Sequence, residues 1–341
     1  MNASSTILVT GGAGYIGSHV VLALIDAGLP VVVLDDLSTG STAAVPPGVP
    51  LVRGSTGDVA LVRATMRRYR VEAVVHLAAS LVVPDSMQDP TRYWRNNVAN
   101  TLALAEACVA EKVARLVFSS TAAVYGIPDR LPVDETAPCR PINPYGASKY
   151  AAEQLLRDTA AAHGFAVVAL RYFNVAGADP AGRAGQRTLG ATHLIKVACE
   201  AALGQRPVVA VYGTDYDTPD GTGVRDYIHV TDLARAHVEA LRHLAMGGEG
   251  AVLNCGYGHG HSVRAVLRAV EKAAGVVLPV QLAPRRPGDP PAIVAAAGKI
   301  QASKAWIFPA FDDLDRIVAD ALTWERRMLA SNGGLQRILS A

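Results

Sequence analysis

Cysteine is scarce in this chain, and the four present, Cys108, Cys139, Cys199 and Cys255, lie 31, 60 and 56 residues apart. No close pair suggests a zinc ribbon, a redox CxxC or a disulfide-stapled mini-domain. A reducing, cytoplasmic setting and the absence of a metal site are the expectations. An excess of one charge is also lacking. With 32 basic and 30 acidic residues the formal net charge is +2, too little to neutralise a nucleic-acid backbone, although a local basic pocket could hold one small anion. Long unbroken apolar runs are missing as well: residues 20–34 are interrupted by Asp26 and Gly28, and the opening MNASSTILVTGG has neither a basic n-region nor an apolar h-region. Neither export nor membrane insertion is expected.

What is present is apolar residue in bulk: half of the 341 residues are hydrophobic and 18% are charged, which excludes a disordered or collagenous chain. The length suggests about two domains burying roughly three quarters of the unfolded surface. An apolar run at 6–10 enters glycines, and Ile16, Val20, Val21, Leu24 and Ile25 follow at helical spacing before Gly28. The cycle repeats with strands at 30–35, 71–77, 115–119 and 165–171 and helical patterns at 59–69, 93–111 and 145–163. Continuous apolar strands alternating with helices predict a Rossmann-type, doubly wound parallel α/β sheet covered on both faces. Beyond Asn174 the rhythm breaks into Gly- and Pro-rich stretches. The expected division is a dinucleotide-binding domain over 1–174 and a smaller mixed α/β substrate lobe over 175–341, with a helix and strand near 230–255 rejoining the first sheet.

Gly11, Gly14 and Gly17 space the turn after the first strand. A strand leads in, glycines let the backbone approach a pyrophosphate, and a helix N-terminus offers free N–H groups and a positive dipole end. Asp35, 18 residues after Gly17 at the end of the second strand, sits where an adenosine ribose seeks a carboxylate. Asp36 adds negative charge, and Leu37-Ser38-Thr39-Gly40 brings no Arg or Lys to accept a 2′-phosphate. NAD rather than NADP is the expected cofactor.

Tyr145 and Lys149 stand four residues apart in a helical pattern, on one face. A cation beside a phenol favours the phenolate and makes a general base usable near neutral pH. Ser119-Ser120-Thr121, directly after a strand, supplies a hydroxyl for the same substrate oxygen. The alternative is an exposed Tyr–Lys pair and a Ser/Thr helix cap.

In this order the glycine turn, the hydroxyl cluster and Tyr-x-x-x-Lys resemble the extended short-chain dehydrogenase/reductase superfamily. VTGGAGYIGSH at 9–19, Arg171-Tyr172-Phe173-Asn174 and DGTGVRDYIHV at 220–230 are similar to the UDP-glucose 4-epimerase family over nearly the whole chain. That resemblance implies a homodimeric isomerase that keeps NAD bound, oxidises sugar C4, rotates the 4-keto sugar and reduces it on the opposite face. It implies Tyr145 as the base at O4, Lys149 as the residue that lowers its pKa and holds the nicotinamide ribose, and Thr121 as an O4 partner. Tyr15, Ile16, Asn96, Phe173, Leu77, Ala78, Ala79 and Leu81 match cofactor-lining positions. Asn174, His193, Leu194, Ala210 and Tyr212 match uridine- and phosphate-side positions, Asp289 a ribose acceptor, and Arg225 and Arg286 a diphosphate clamp.

Several positions depart from the family pattern. Gly54-Ser55 stands where many members have Gly-Asp, which moves the implied adenine contact to Ser55, Thr56 or Asp58. Leu81 replaces a Lys of some members, and His193 the usual Asn. Ile293 falls where the family varies between Tyr and smaller residues that admit a 2-N-acetyl group, so side activity on UDP-N-acetylglucosamine is expected. A 4,6-dehydratase would need an acid pair where this chain has Ala122-Ala123. A UDP-pentose 4-epimerase or a non-catalytic NAD sensor are the remaining alternatives.

Overall fold

The computed structural model describes residues 6–302 and 309–339. Its first half runs β1 (Thr6–Thr10), α1 (Tyr15–Asp26), β2 (Val31–Asp35), β3 (Leu51–Arg53), α2 (Val59–Tyr69), β4 (Val71–His76), α3 (Val83–Gln88), α4 (Pro90–Tyr93), α5 (Asn100–Ala110), β5 (Arg115–Thr121), α6 (Pro144–His163) and β6 (Ala166–Tyr172). The second half continues β7 (Asn174–Ala176), α7 (Leu194–Ala202), β8 (Val209–Tyr212), β9 (Val224–Arg225), β10 (Tyr227–His229), α8 (Val230–Ala245), β11 (Ala251–Cys255), β12 (His261–Ser262), α9 (Val263–Ala274), β13 (Val280–Ala283), β14 (Ala292–Ile293), α10 (Gly298–Ala302) and α11 (Leu314–Leu339).

Seven strands form one all-parallel sheet in the order β11-β6-β5-β4-β1-β2-β3. Alternate residues of its strands enter two cores, as the period-2 geometry of a strand requires. Ile7, Val9, Val31, Val33, Val75 and Val117 pack on one face with α1 and α8. Leu8, Val32, Leu34, Val74, Leu116 and Phe118 pack on the other with α2, α5 and α6. Continuous apolar strands are thus the consequence of burial on both sides. β11 extends the sheet beyond β6 after the chain has left it for β7 to β10. Those strands make three small sheets with β12 to β14, and Ala176, Val209 and Val211 of β7 and β8 belong to the same apolar cluster as Val9 and Val33.

Two local details lie beyond the sequence pattern. The helix expected over 93–111 forms, but it is π-wound over Trp94–Ala99 between α4 and α5. β3 had no sequence signal, because three partly exposed edge residues carry no periodicity.

Behind the sheet end that bears Thr121, a buried ion pair joins α6 to β6. Arg171 donates to Glu153 through Nε (3.0 Å) and Nη2 (2.7 Å), and Ser120 donates to the same carboxylate. Arg171 Nη1 also donates to the Tyr125 hydroxyl (2.9 Å), which donates in turn to Asn254 Oδ1 of β11 (2.7 Å). Four elements therefore share one satisfied polar network. Removing one charge of such a pair strands the other in a low-dielectric interior. Glu153→Leu is expected to cost about 3–5 kcal/mol in chemical denaturation. The double variant Glu153→Leu/Arg171→Met should recover most of that loss.

Candidate active site

The strand order reverses between β1 and β4, so the connections leaving their C-terminal ends diverge to opposite faces and open a crevice there. The glycine turn and the loop after β4 meet in that crevice. A Cβ at Gly11 would stand 2.7 Å from Ala78 N, and one at Gly17 would stand 2.1 Å from Gly11 O. Neither position admits a side chain. Ser18 N makes the first backbone bond of α1, to Gly14 O at 3.0 Å, and no side chain caps the turn. The N–H groups of Tyr15, Ile16 and Gly17 therefore remain donors at a positive helix end. The Tyr15 phenol points elsewhere, donating to Gly177 O at 2.7 Å.

Asp35 is buried at the end of β2, with Oδ2 accepting from Ala13 N (2.9 Å) and Oδ1 from Leu37 N (2.8 Å). Burial raises its pKa, and those two bonds oppose the rise. The remaining lone pairs of a carboxylate fixed in this way suit a pair of ribose hydroxyls. Asp36 is exposed and folds back on its own turn, accepting from Ser38 N (2.9 Å) and Ser38 Oγ (2.6 Å).

The π-helical segment carries Asn96, which the resemblance implied, and Asn97, which the sequence did not single out. Its Asn97 accepts from Ser80 N (2.8 Å) and donates to Ser80 O (2.9 Å) and Ser148 Oγ (3.0 Å), tying the loop of Leu77, Ala78 and Ala79 to α6. Asn96 donates to Ser80 Oγ (3.0 Å) and accepts from Asn100 (2.9 Å), whose amide reaches Ser55 Oγ at 3.5 Å. The Asn96-Asn97 pair inside an apolar helical pattern was the available signal. Leu81, just past this pinned segment, is 48% exposed. Thr56 is buried beside Ser55, and Asp58 is engaged as the cap of α2, accepting from Leu61 N at 3.0 Å. Beneath the loop, Thr101 gives its proton to Asn97 O (2.7 Å) and so accepts from His76 Nε2 (2.9 Å), while His76 Nδ1 accepts from Thr10 (2.7 Å). Burial pushes His76 down to about 3, so it stays neutral.

Thr121 ends β5, and its Oγ1 accepts from Ala123 N at 3.1 Å, leaving its proton free to donate. It therefore is a cap and a donor together. Tyr145 lies in the first turn of α6, edge-on to Tyr93 at 6.3 Å between ring centroids. Burial raises the Tyr145 pKa, and a hydrogen bond with Thr121 lowers it. Lys149, one helical turn further along α6, is buried. Its ammonium lies 4.5 Å over the Phe118 ring, and burial pushes Lys149 itself down to about 7, with Glu153 opposing. Phe173 and Ile293 are both buried, in one apolar cluster with Ala122 beside this centre.

The second lobe brings its residues in from separate segments. Asn174 of β7, His193 and Leu194 line one pocket with Tyr15 and Tyr227, and His193 accepts from the Gln186 amide at 2.9 Å. Ala210 and Tyr212 lie on β8. The Arg286 guanidinium lies over the Tyr212 ring, 3.6 Å from its centroid. Arg225 and Asp289, expected to serve different parts of a ligand, form an ion pair with each other at 3.3 Å. Ile293 pairs with Arg225 in the β14/β9 register.

An anion-ready helix end, a fixed carboxylate at the neighbouring strand and a Tyr/Lys/Thr group at the same sheet edge define a dinucleotide-dependent enzyme of the Rossmann class, and NAD fits these residues. Residues 7–256 match the model of the NAD dependent epimerase/dehydratase family, to which the chain belongs. It is 59% identical over 331 residues to a UDP-glucose 4-epimerase of Azospirillum brasilense, covering 97% of this chain and 95% of the relative. Its fold is similar to the crystal structure of UDP-glucose 4-epimerase from Brucella ovis in complex with NAD, at TM-score 0.90 and 45% identity over 94% of this chain and 98% of that one. It is also similar to the UDP-Glc/GlcNAc 4-epimerase of Campylobacter jejuni, at TM-score 0.82 and 45% identity over 95% and 99% of the chains.

The depressed Lys149 pKa has a measurable consequence. Between about 7 and the unfolded value of ~10.4, the unfolded chain holds this proton and the folded one does not, so the group's contribution to stability improves as pH rises. In ligand-free protein, the stability of the parent relative to Lys149→Met should rise from pH 7 to pH 9, by up to about 1.4 kcal/mol per unit. A pH-independent difference in urea titrations would contradict it.

Proposed function

We propose that this chain is a UDP-glucose 4-epimerase, interconverting UDP-glucose and UDP-galactose. The observation that carries the reading is the convergence of Thr121, Tyr145 and Lys149 beside the crevice of the parallel sheet, a proton-handling group for which mere nucleotide binding has no use. The 59% identity to a UDP-glucose 4-epimerase over nearly the whole chain supports the substrate. NAD, when bound, would supply the hydride acceptor for oxidation at sugar C4 and the hydride donor for the re-reduction. The N–H groups of Tyr15, Ile16 and Gly17 receive its pyrophosphate, with Gly11 and Gly14 shaping the turn. Asp35 accepts the ribose hydroxyls, and Asp36 adds charge against a 2′-phosphate. Ser55 and Thr56 flank the adenine, while Asn96, Leu77, Ala78, Ala79, Leu81 and Phe173 border the rest of the cofactor.

Tyr145 takes the O4 proton and later gives it back, Thr121 donates a hydrogen bond to the same oxygen, and Lys149, when charged, favours the phenolate. Arg225 and Arg286 hold the diphosphate with paired donors, a task that suits guanidinium forks. Asp289 then leaves Arg225 for the uridine ribose. Asn174, His193, Leu194, Ala210 and Tyr212 surround the nucleoside. Ile293, buried and smaller than Tyr, leaves room for a 2-N-acetyl group, and the C. jejuni structure is described as a Glc/GlcNAc 4-epimerase. We assign UDP-N-acetylglucosamine as a weaker substrate, a homodimer formed through α5 and α6, where Leu102 is exposed, and a cytoplasmic location.

The test is proton NMR of purified protein with UDP-glucose and no added NAD. Appearance of the galacto anomeric signal is expected, whereas no conversion by NAD-loaded protein would refute the assignment. Tyr145→Phe should fold and retain NAD while losing about 10²-fold or more in turnover. Ile293→Tyr should lower turnover of the N-acetylated sugar relative to the plain one. An unchanged ratio would remove Ile293 from substrate selection.

A further inference from the structure

The loop that carries Arg286 and Asp289 makes most of its polar contacts within the second lobe. Arg285 pairs with Asp215 (2.8 Å), Arg286 covers Tyr212, and Asp289 pairs with Arg225. One bond crosses to the sheet-forming half: Asn143 Nδ2 donates to Gly288 O at 3.3 Å. Asn143 is buried and is also the N-cap of α6, its Oδ1 accepting from Gly146 N at 2.8 Å, one residue beyond Tyr145.

Capping alone does not call for asparagine. Asn, Asp and Ser cap about equally well, each through a side-chain oxygen. Asn differs in carrying an amide donor beside its acceptor. Here the acceptor is used by the helix and the donor by the loop, so one planar group fixes the distance between the turn holding Tyr145 and the turn holding Arg286. A substrate gripped at its diphosphate by Arg286 and at its sugar by Tyr145 depends on that distance.

We propose that Asn143 is a positioning residue for substrate binding, acting through Arg286 by anchoring the 284–291 loop to the N-terminus of α6. This rests on the assignment of Arg286 to the diphosphate. The loop's own contacts hold its shape; the Asn143 amide sets its place over the site. Losing the amide lets the loop sample positions in which Arg286 misses the phosphates, and the cost falls on binding rather than on proton transfer.

The experiment uses Asn143→Ser and Asn143→Asp, which keep the cap oxygen, together with Asn143→Ala, Arg286→Ala and the double variant Asn143→Ser/Arg286→Ala. UDP is the calorimetric probe, and steady-state kinetics use UDP-glucose. Asn143→Ser and Asn143→Asp should melt close to the parent, weaken UDP about tenfold, raise KM by a similar factor and leave kcat within about twofold. Asn143→Ala should show the same binding loss and a lower melting temperature. The double variant should bind UDP no worse than Arg286→Ala alone, since coupled residues are not additive. Parent-like UDP affinity in both Asn143→Ser and Asn143→Asp, with binding lost in Arg286→Ala, would overturn the anchoring role alone. Parent-like affinity in Arg286→Ala would overturn the diphosphate assignment beneath it. Additive losses in the double variant would show that Asn143 does not act through Arg286.

Discussion

A parallel sheet has to be covered on both faces, and most of this molecule follows from that constraint. Apolar side chains alternate to either side of β1, β2, β4 and β5, so α1 and α8 close one face while α2, α5 and α6 close the other. Because the chain winds outward from β1 in both directions, two neighbouring strands must send their connections to opposite sides. The crevice between β1 and β4 is the product. The glycine turn and the loop after β4 meet there.

A crevice alone is not a site, and the polar groups beneath it give it a fixed shape. His76 is held between Thr10 and Thr101, Asn97 ties Ser80 to Ser148, and Glu153 binds Arg171 and Ser120. Each of these groups is buried with its partners present, the condition under which interior polarity rigidifies a core instead of weakening it. The π-helical segment contributes here too, since its wider turn brings Asn96 and Asn97 to the loop after β4 within an otherwise regular run of helix. Lys149 is the exception. Burial pushes its ammonium down to about 7, with Glu153 opposing and the Phe118 ring beneath it.

The second lobe works on a different principle. Its strands are two to four residues long and its site residues come from β7, β8, β9, β14 and two loops, so no single element orients them. Ion pairing between Arg225 and Asp289, and the stacking of Arg286 on Tyr212, give four of these side chains a partner within the protein. Such contacts are weak at a solvent-facing rim and exchange readily for stronger ones.

By itself the sequence determined the sheet-forming half of this protein apart from the edge strand β3, down to the helix over residues 59–69, because burial on both faces writes itself as apolar runs and a glycine turn tolerates no substitute. It also pointed to Tyr145 and Lys149 through their four-residue spacing, and to Thr121 and Asp35, each placed by the end of a strand. What only the tertiary structure decided are relations between distant segments. Asn97 meeting Ser80 and Ser148, His76 between two threonines, Arg225 paired with Asp289, and Asn143 reaching Gly288 leave no periodic trace. The Lys149 pKa belongs with them, since desolvation depends on what surrounds a side chain and not on its neighbours in the chain. A hydrogen bond across 145 residues is set by packing, and packing is known only when the chain has folded.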